Sequence, residues 1–195
     1  PVGGGDEWLD TVSRDGGATW TLIGHDWPYG IVAAPGTTGD GAAISTWFGI
    51  DNGVGVVRSV DEGRSWQPAS DGIDALKVMD IDVSPDYAHD RTLFATSFTT
   101  ASADASDDDP TASAWRSRDG GEHWEAVGRY AALSVSPEFA IDRTVIAFEH
   151  LGDKCFLSTD GGDHWTARGA LRHVDADHGD DADEEGGPYA GDTWI

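Results

Sequence analysis

The sequence SRDGGATW at residues 13–20 is the first of four copies of one eight-residue phrase, S-x-D-x-G-x-x-W. The others are SVDEGRSW at 59–66, SRDGGEHW at 117–124 and STDGGDHW at 158–165. In each copy, called a box below, the Asp carboxylate can accept hydrogen bonds from backbone N–H groups of a turn, and the glycine permits a positive φ. The Trp begins the return strand and can cover the hairpin with its ring. The boxes therefore predict four β-hairpin tips.

A second phrase, S-P-x-aromatic-A-x-D-R-T, occurs at residues 84–92 and 136–144, and a degenerate version lies within 31–48. In each copy, a turn that contains proline separates two apolar strands. The box hairpin that follows adds a third strand and a fourth. One unit is thus four antiparallel strands in about 45 to 50 residues, which is the size of a propeller blade.

These repeats predict a single all-β domain over residues 1–195, a β-propeller of four-stranded antiparallel blades. The blades are assigned to residues 6–24 (half a blade), 25–73, 74–128 and 129–171, with an acidic loop and a short apolar strand in 172–195. That last strand, TWI at 193–195, would close a small ring by pairing with the N-terminal half-blade and so hide the sheet edges. The alternative is that the chain is part of a larger propeller.

The charge of the chain excludes two classes of partner. Asp and Glu number 36 against 12 Lys and Arg, for a net charge of -24, and Lys77 and Lys154 are the only lysines. Nucleic acid and anionic membranes both require a basic surface, which this composition lacks, and no apolar run approaches the ~20 residues of a membrane span. We interpret the charge as adaptation to high salt, the alternative being an ordinary acidic extracellular protein. The expected location is extracellular, on a cell surface or on a virion surface.

The box phrase resembles the Asp-box, or BNR repeat, and the chain resembles the Asp-box β-propellers. That family includes sialidases, sortilin-type receptors, xyloglucanase-type glycosidases and photosystem II assembly factors. The resemblance covers most of residues 6–171 and implies four-stranded blades whose boxes lie on peripheral hairpins, away from an active site. It therefore implies a structural role for the defining box residues, which are Ser13, Asp15, Gly17, Trp20, Ser59, Asp61, Gly63, Trp66, Ser117, Asp119, Gly121, Trp124, Ser158, Asp160, Gly162 and Trp165.

Glycoside hydrolysis is the main catalytic alternative. A sialidase-like site needs three clustered arginines, a Tyr nucleophile with a Glu partner and an Asp acid/base, and the R-I-P motif of that family is absent. The repeated Arg91 and Arg143 are expected to pair with the preceding Asp or another local carboxylate. Asp80 and Asp82 alternate along a strand and share one face, so they are the candidate pair for a two-carboxylate glycosidase; the alternative is that they face solvent or the channel. We assign no catalytic residue.

Acidic clusters suggest a cation site. Asp175, Asp177, Asp181 and Asp183 offer the oxygen ligands that Ca²⁺ prefers, although their spacing does not match an EF-hand. The alternative is a solvated acidic loop, which is also the interpretation of the insertion at 99–113. His123 and His164 each precede a box Trp, which predicts a packing or turn role.

Aromatic residues outside the boxes are the best candidates for binding. Trp27 and Tyr29 lie in the turn-rich sequence HDWPYG, and Trp8 and Trp194 lie near the termini. Exposed Trp and Tyr rings can stack on sugars or anchor a protein partner. The predicted function is therefore a non-catalytic module that binds glycan or protein, with a glycoside hydrolase or a subunit of a larger assembly as alternatives.

Overall fold

The computed structural model describes residues 10–13, 15–24, 28–37, 43–74, 77–99, 111–149 and 154–170. Its strands and two single-turn helices are β1 (Asp10–Val12), β2 (Thr21–Gly24), β3 (Tyr29–Thr37), β4 (Ala43–Asp51), β5 (Gly55–Ser59), β6 (Gln67–Pro68), β7 (Lys77–Val83), α1 (Tyr87–Asp90), β8 (Leu93–Thr99), β9 (Thr111–Ser117), β10 (Glu125–Gly128), β11 (Ala132–Val135), α2 (Phe139–Asp142), β12 (Val145–Phe148), β13 (Lys154–Ser158) and β14 (Thr166–Ala170). Neither helix is long or apolar enough to cross a membrane.

The strands pair in chain order into antiparallel meanders. Sheet 1 contains β1 and β2, sheet 2 runs β3-β4-β5-β6, sheet 3 runs β7-β8-β9-β10 and sheet 4 runs β11-β12-β13-β14. The predicted all-β fold of four-stranded antiparallel sheets is therefore confirmed. The first strands of sheets 2, 3 and 4 contact one another in succession, β3 against β7 and β7 against β11.

Each four-stranded sheet has two distinct ends. At one end, called the box end, lie the connection between its first and second strands and the box between its third and fourth. At the other, called the loop end, lies the connection between its second and third strands. The acidic insertion joins Thr99 to Thr111, which are paired at the loop end of sheet 3. The repeated phrases thus lie at the box end of the sheets, whereas the non-repeated insertion lies at the loop end of sheet 3.

The second phrase forms a closed turn at the box end. In the copy at 84–92, the Ser84 hydroxyl donates to Asp90 Oδ2 at 2.8 Å and the Thr92 N–H donates to Asp90 Oδ1 at 2.9 Å. Arg91 adopts a φ of 53° after the single turn α1, and its guanidinium lies 4.8 Å from the centre of the Tyr87 ring. The copy at 136–144 repeats these hydrogen bonds. The phrase is therefore a turn closed by its own side chains.

Sheets 2, 3 and 4 pack through a repeated aromatic contact. Phe48 of β4 meets Tyr87 edge to face, with ring centres 5.7 Å apart, and Phe94 of β8 meets Phe139 in the same way at 6.1 Å. In each case a second-strand Phe contacts the phrase aromatic of the following sheet. Sheet 3 is covered on both faces, so residues 93–97 of β8 are all buried. The core lies between the sheets, in two apolar clusters.

Candidate functional site

The boxes are turns closed by their own side-chain hydrogen bonds, and box 59–66 shows the pattern. The Ser59 hydroxyl donates to Asp61 Oδ1 at 2.8 Å and accepts from the Gly63 N–H at 2.8 Å. Ser65 donates its N–H to Asp61 Oδ1 and its hydroxyl to Asp61 Oδ2, at 2.8 and 2.7 Å. Both carboxylate oxygens are thereby engaged within the turn.

The residue before each box Trp completes the turn. Ser65 has its counterparts in Thr19, whose hydroxyl donates to Asp15 Oδ2 at 2.6 Å, and in His123 and His164. The Nδ1 atoms of the two histidines lie 2.8 and 2.7 Å from the second oxygen of their box Asp. The predicted turn role of these histidines thus consists of a hydrogen bond between the ring and the box Asp. The seventh position of the box is therefore part of the motif.

These hydrogen bonds keep the box carboxyls ionised. The Thr19 hydroxyl and N–H lower the pKa of Asp15 to about 2, and the Ser65 hydroxyl and N–H do the same for Asp61. At Asp119, burial raises the pKa, but the His123 N–H and ring outweigh it and bring the pKa to about 2. The pKa of Asp160 is also lowered, chiefly by the His164 N–H. A carboxylate that is ionised and saturated with donors is unsuited to general acid catalysis.

Two boxes also join one sheet to the next. A Cβ placed on Gly121 would lie 3.0 Å from Phe48 Cε1 of sheet 2, and one on Gly162 would lie 3.2 Å from Phe94 Cε1 of sheet 3. The close approach requires glycine at both positions, in addition to the positive φ. The box residues therefore seal the seams between sheets.

An arginine directly before the box Ser reaches across each of these seams. Arg58 Nη1 donates to the Gly120 carbonyl at 3.2 Å, and Arg116 Nη1 donates to the Gly161 carbonyl at 2.6 Å. Arg116 also forms ion pairs with Glu125 at 2.6 Å and Asp163 at 2.9 Å. Its side chain is only 4% exposed, so its charge is held by carboxylates from two sheets.

The cavities at the box end also lie between neighbouring sheets. A cavity of about 390 Å³ between sheets 3 and 4 is lined by Asp90, Thr92, Arg118, Phe139, Arg143, Asp160 and Gly161. Arg143 Nη1 lies 3.2 Å from Asp90 Oδ2, so the charges of the two sheets are paired across it. Of the expected partners of Arg143, the preceding Asp or another local carboxylate, the structure shows a carboxylate close in space but distant in the chain, the phrase Asp of the previous sheet.

The carboxylate pair on β7 serves the backbone. Asp82 Oδ1 accepts from the Val83 N–H at 3.0 Å, and Asp82 Oδ2 accepts from the Val135 N–H of sheet 4 at 2.8 Å. Burial raises the pKa of Asp82, while these two N–H groups oppose the shift. Asp80 Oδ1 accepts from the Ile81 N–H at 2.9 Å. Asp82 thus connects the first strands of sheets 3 and 4.

Tyr29 is the predicted binding residue that lies within the described ranges, and it lies at the loop end. It is 41% exposed, and its Oη is 3.1 Å from Asn52 Oδ1 and 3.4 Å from the Val78 carbonyl. The neighbouring Pro28 is buried and packs against Gly49. Only glycine leaves room for it there, because a Cβ on residue 49 would lie 2.7 Å from Pro28 Cγ. The hydroxyl thus ties the half-exposed Tyr29 side chain to Asn52 of sheet 2 and to the backbone of sheet 3.

The remaining predicted residues lie outside the described ranges. They are the aromatic candidates Trp8, Trp27 and Trp194, the calcium candidates Asp175, Asp177, Asp181 and Asp183, and the closing strand at 193–195. Within the part of the chain that the structure describes, no group of three or more His, Cys, Asp and Glu side chains is arranged to hold a metal ion. The Ca²⁺ site stays a prediction.

Solved structures with a similar fold include larger proteins. The GH74 xyloglucanase from Xanthomonas campestris matches 70% of this chain and 20% of its own, with 18% identity and a TM-score of 0.50. The GH74 enzyme from Niastella koreensis matches 77% and 25% of the two chains, with 14% identity and a TM-score of 0.44. YCF48 bound to a D1 peptide matches 81% and 46%, with 20% identity and a TM-score of 0.46.

At these identities the likeness shows the fold alone, a β-propeller. The chain spans one fifth of the length of the xyloglucanase and less than half of YCF48. No protein-family model matches the chain, and no curated protein does.

Proposed function

We propose that the chain is a non-catalytic, propeller-type binding module that recognises a protein or a glycan at its loop end, around Tyr29. The observation that carries this proposal is a half-exposed aromatic ring whose hydroxyl is tied to Asn52 and to the Val78 carbonyl. A ring that is already fixed loses little conformational entropy when a partner stacks on it.

The surroundings of Tyr29 support a contact surface. Ile31 on β3 and Met79 on β7 are exposed apolar side chains on the first strands of sheets 2 and 3. Trp27 is two positions away in the sequence, and the acidic insertion leaves sheet 3 at its loop end. Aromatic and apolar anchors surrounded by polar groups are typical of interfaces.

The state of the carboxyls supports binding over hydrolysis. A glycosidase needs one carboxyl held protonated and another free to act on the sugar or a water. Asp82 has a raised pKa, but both of its oxygens accept backbone N–H bonds, and the box carboxyls are ionised and saturated. We also propose an extracellular or surface location in high salt, supported by the net charge of -24.

The test is a binding screen of the whole chain in molar KCl against a glycan array and a displayed peptide library. We expect Tyr29→Ala to weaken the recovered ligand about tenfold or more, the effect of losing a central aromatic anchor. Tyr29→Phe should have an intermediate effect, because it keeps the ring but removes the hydroxyl contacts that fix it. The matched control is Ile141→Ala, which removes a side chain that is 84% exposed at the box end.

Two results would count against the proposal. One is a ligand whose affinity Tyr29→Ala leaves unchanged while Ile141→Ala weakens it. The other is release of reducing sugar from a glycan, lost in Asp82→Asn, which would favour the glycosidase instead.

A further inference from the structure

Two β-bulges at the loop end turn apolar side chains outward. In β3, Gly30 and Ile31 together face the single residue Gly49 of β4. In β7, Met79 lies between two residues that pair with successive positions of β8. Ile31 is 38% exposed and Met79 is 41% exposed. Bulges re-aim side chains and are frequent beside functional sites, so each of these two adds an apolar residue to the surface.

These bulges depart from the repeat. In sheet 4, the first strand β11 pairs with β12 without a register shift, and its exposed residues are the small Ala132 and Ser134. In sheets 2 and 3, both bulges lie on the loop-end side of the pairs that contain Phe48 and Phe94. The described four-stranded sheets therefore share their core pairing, whereas only sheets 2 and 3 expose a bulky residue on the first strand.

Tyr29 connects the two bulges to the turn between β4 and β5. Its Oη lies 3.1 Å from Asn52 Oδ1 and 3.4 Å from the Val78 carbonyl. Asn52 shares its turn with the exposed Val54, and Val78 is followed by Met79. Four of the eight large apolar side chains that are exposed in the described part of the chain thus belong to one surface, which marks it as an interaction site. This surface, called the loop-end patch, consists of Tyr29, Ile31, Val54 and Met79.

The charged side chains around the loop-end patch are mainly acidic. Residues 51–55 and strand β7 carry Asp51, Asp80 and Asp82 against one basic residue, Lys77, and β3 carries no charge. Asp82 binds two backbone N–H groups, but Asp51 and Asp80 each accept one N–H at Oδ1. Among the described residues, no donor occupies the Oδ2 atom of these two carboxylates. Apolar side chains and available carboxylate oxygens therefore lie side by side, as at Met79 and the exposed Asp80.

We propose that the loop-end patch binds a basic protein segment, one that carries apolar side chains together with Lys or Arg. This inference rests on the proposed function and names the class of partner. The apolar side chains of the segment pack on Ile31 and Met79, and its cations pair with Asp51 and Asp80. A glycan fits less well, because aliphatic side chains offer no hydrogen bonds to sugar hydroxyls that lose water. An acidic partner is repelled by the net charge of -24.

The test measures the binding of three labelled peptides to the whole chain by fluorescence anisotropy. In the first peptide Lys alternates with Leu, in the second Glu replaces each Lys, and in the third Ser replaces each Leu. We expect the Lys–Leu peptide to bind at least about tenfold more tightly than the other two, at the lowest KCl concentration at which circular dichroism shows the native fold. Molar KCl should weaken this binding without abolishing it, because salt screens the charges and leaves the apolar contacts.

Variants separate the two kinds of contact. Met79→Ser should weaken the Lys–Leu peptide about tenfold and Val54→Ser about threefold, at both salt concentrations. Asp80→Asn should weaken it about threefold at low salt and leave its affinity in molar KCl unchanged. The matched controls are Ile141→Ser and Glu138→Gln, which change exposed residues of the box end and should leave the affinity unchanged. Circular dichroism checks each fold, and Val54→Ser and Asp80→Asn keep the test decisive if Met79→Ser unfolds.

The outcomes distinguish this inference from the proposed function. A Glu–Leu peptide that binds as tightly as the Lys–Leu peptide would show that charge does not select the partner. If a glycan array screened in parallel yields a ligand that Tyr29→Ala weakens, while the Lys–Leu peptide does not bind, the proposed function stands and the basic segment is wrong. An affinity for the Lys–Leu peptide that neither Met79→Ser nor Tyr29→Ala lowers would overturn both.

Discussion

Replacing Arg116 by Leu tests whether the sheets are held together by buried charge. Arg116 Nη1 donates to the Gly161 carbonyl, and its other nitrogens bind Glu125 and Asp163, so one side chain connects sheet 3 to the box of sheet 4. Leu is the natural occupant of the equivalent position in sheet 4, at Leu157. The substitution therefore keeps a side chain that suits the strand and removes only the guanidinium.

The expected cost follows from what is left behind. Gly161 is buried, and its carbonyl loses a charged donor, which costs about 1 to 3 kcal/mol. Glu125 and Asp163 are about half exposed and return to water, so each ion pair contributes at most ~1 kcal/mol. The sum is about 3 kcal/mol, or a fall in Tm of roughly 6 to 12 °C for a chain of this length.

The measurement is urea unfolding followed by tryptophan fluorescence in molar KCl, with Arg58→Leu and Arg118→Leu as matched controls. Arg58 is partly exposed and makes a hydrogen bond at 3.2 Å and a long ion pair with Glu122 at 3.9 Å, so its loss should cost about 1 kcal/mol. Arg118 is half exposed and should cost less than ~0.5 kcal/mol. If Arg116→Leu unfolds at the urea concentration of the intact chain, or Arg118→Leu costs as much, the buried guanidinium does not hold the sheets together.

Three further predictions follow from the turns and seams. Gly121→Ala should lower the free energy of unfolding by more than ~2 kcal/mol, because its φ is 87° and its Cβ would press on Phe48. Gly16→Ala, at a φ of 71° with open space around it, should lower it by only about 1 kcal/mol, and thermal melts would separate the two. Asp82→Ala should cost about 1 to 3 kcal/mol in the same melts, because it leaves the Val83 and Val135 N–H groups without their acceptor. Asp82→Asn keeps one acceptor oxygen but turns its NH2 toward the other N–H, so it should also be destabilising. In dilute buffer, stability should rise as the pH falls from 7 toward about 4.5, because protonation relieves the repulsion of surplus carboxylates. It should then fall between pH 3.8 and about 2, since the box carboxyls have unfolded pKa values of 3.8 and folded values of about 2; in molar KCl only the acid fall should remain. Equal stability in dilute and molar salt at pH 7 would contradict the high-salt interpretation.

The hairpins were predictable because their determinants are local. The Ser, Asp and Gly of a box are within four residues of one another and hydrogen-bond inside the turn, so spacing alone identifies them. The same holds for Ser84 and Asp90 in the second phrase. Local turns that recur at a constant interval then predict the sheet order.

The contacts between sheets were harder to predict, because their partners are distant in the chain. Arg143 binds Asp90, 53 residues away, and Arg116 binds the Gly161 carbonyl, 45 residues away. The sequence does hold a signal for Arg116. The residue before the box Ser is Arg in two boxes, whereas it is Val12 or Leu157 in the other two. Read alone, that alternation gives no indication that the arginine reaches the following box.

Tyr29 illustrates why the binding surface is only partly predictable. The sequence HDWPYG marks it as a turn aromatic, but its exposure and its fixed hydroxyl depend on Asn52 and Val78, which the fold brings to the same end. No repeat carries that information, because the other sheets have no tyrosine at this position.

Positions that recur in every repeat and positions that depart from it differ in what their side chains contact. Each repeated residue with a described partner makes a structural contact. The box Asp accepts hydrogen bonds within its turn, the box Gly packs against the preceding sheet, and the phrase Asp accepts the N–H of the phrase Thr. Such a residue cannot take on a ligand without losing a structural contact. Departures from the repeat are therefore where a separate role can arise, as at Tyr29, whose side chain is partly exposed. The same reasoning applies to Leu157: it stands at the position of Arg116, which binds Glu125 of its own sheet and the Gly161 carbonyl and Asp163 of the next, so sheet 4 presents an apolar side chain where sheet 3 presents a charged one.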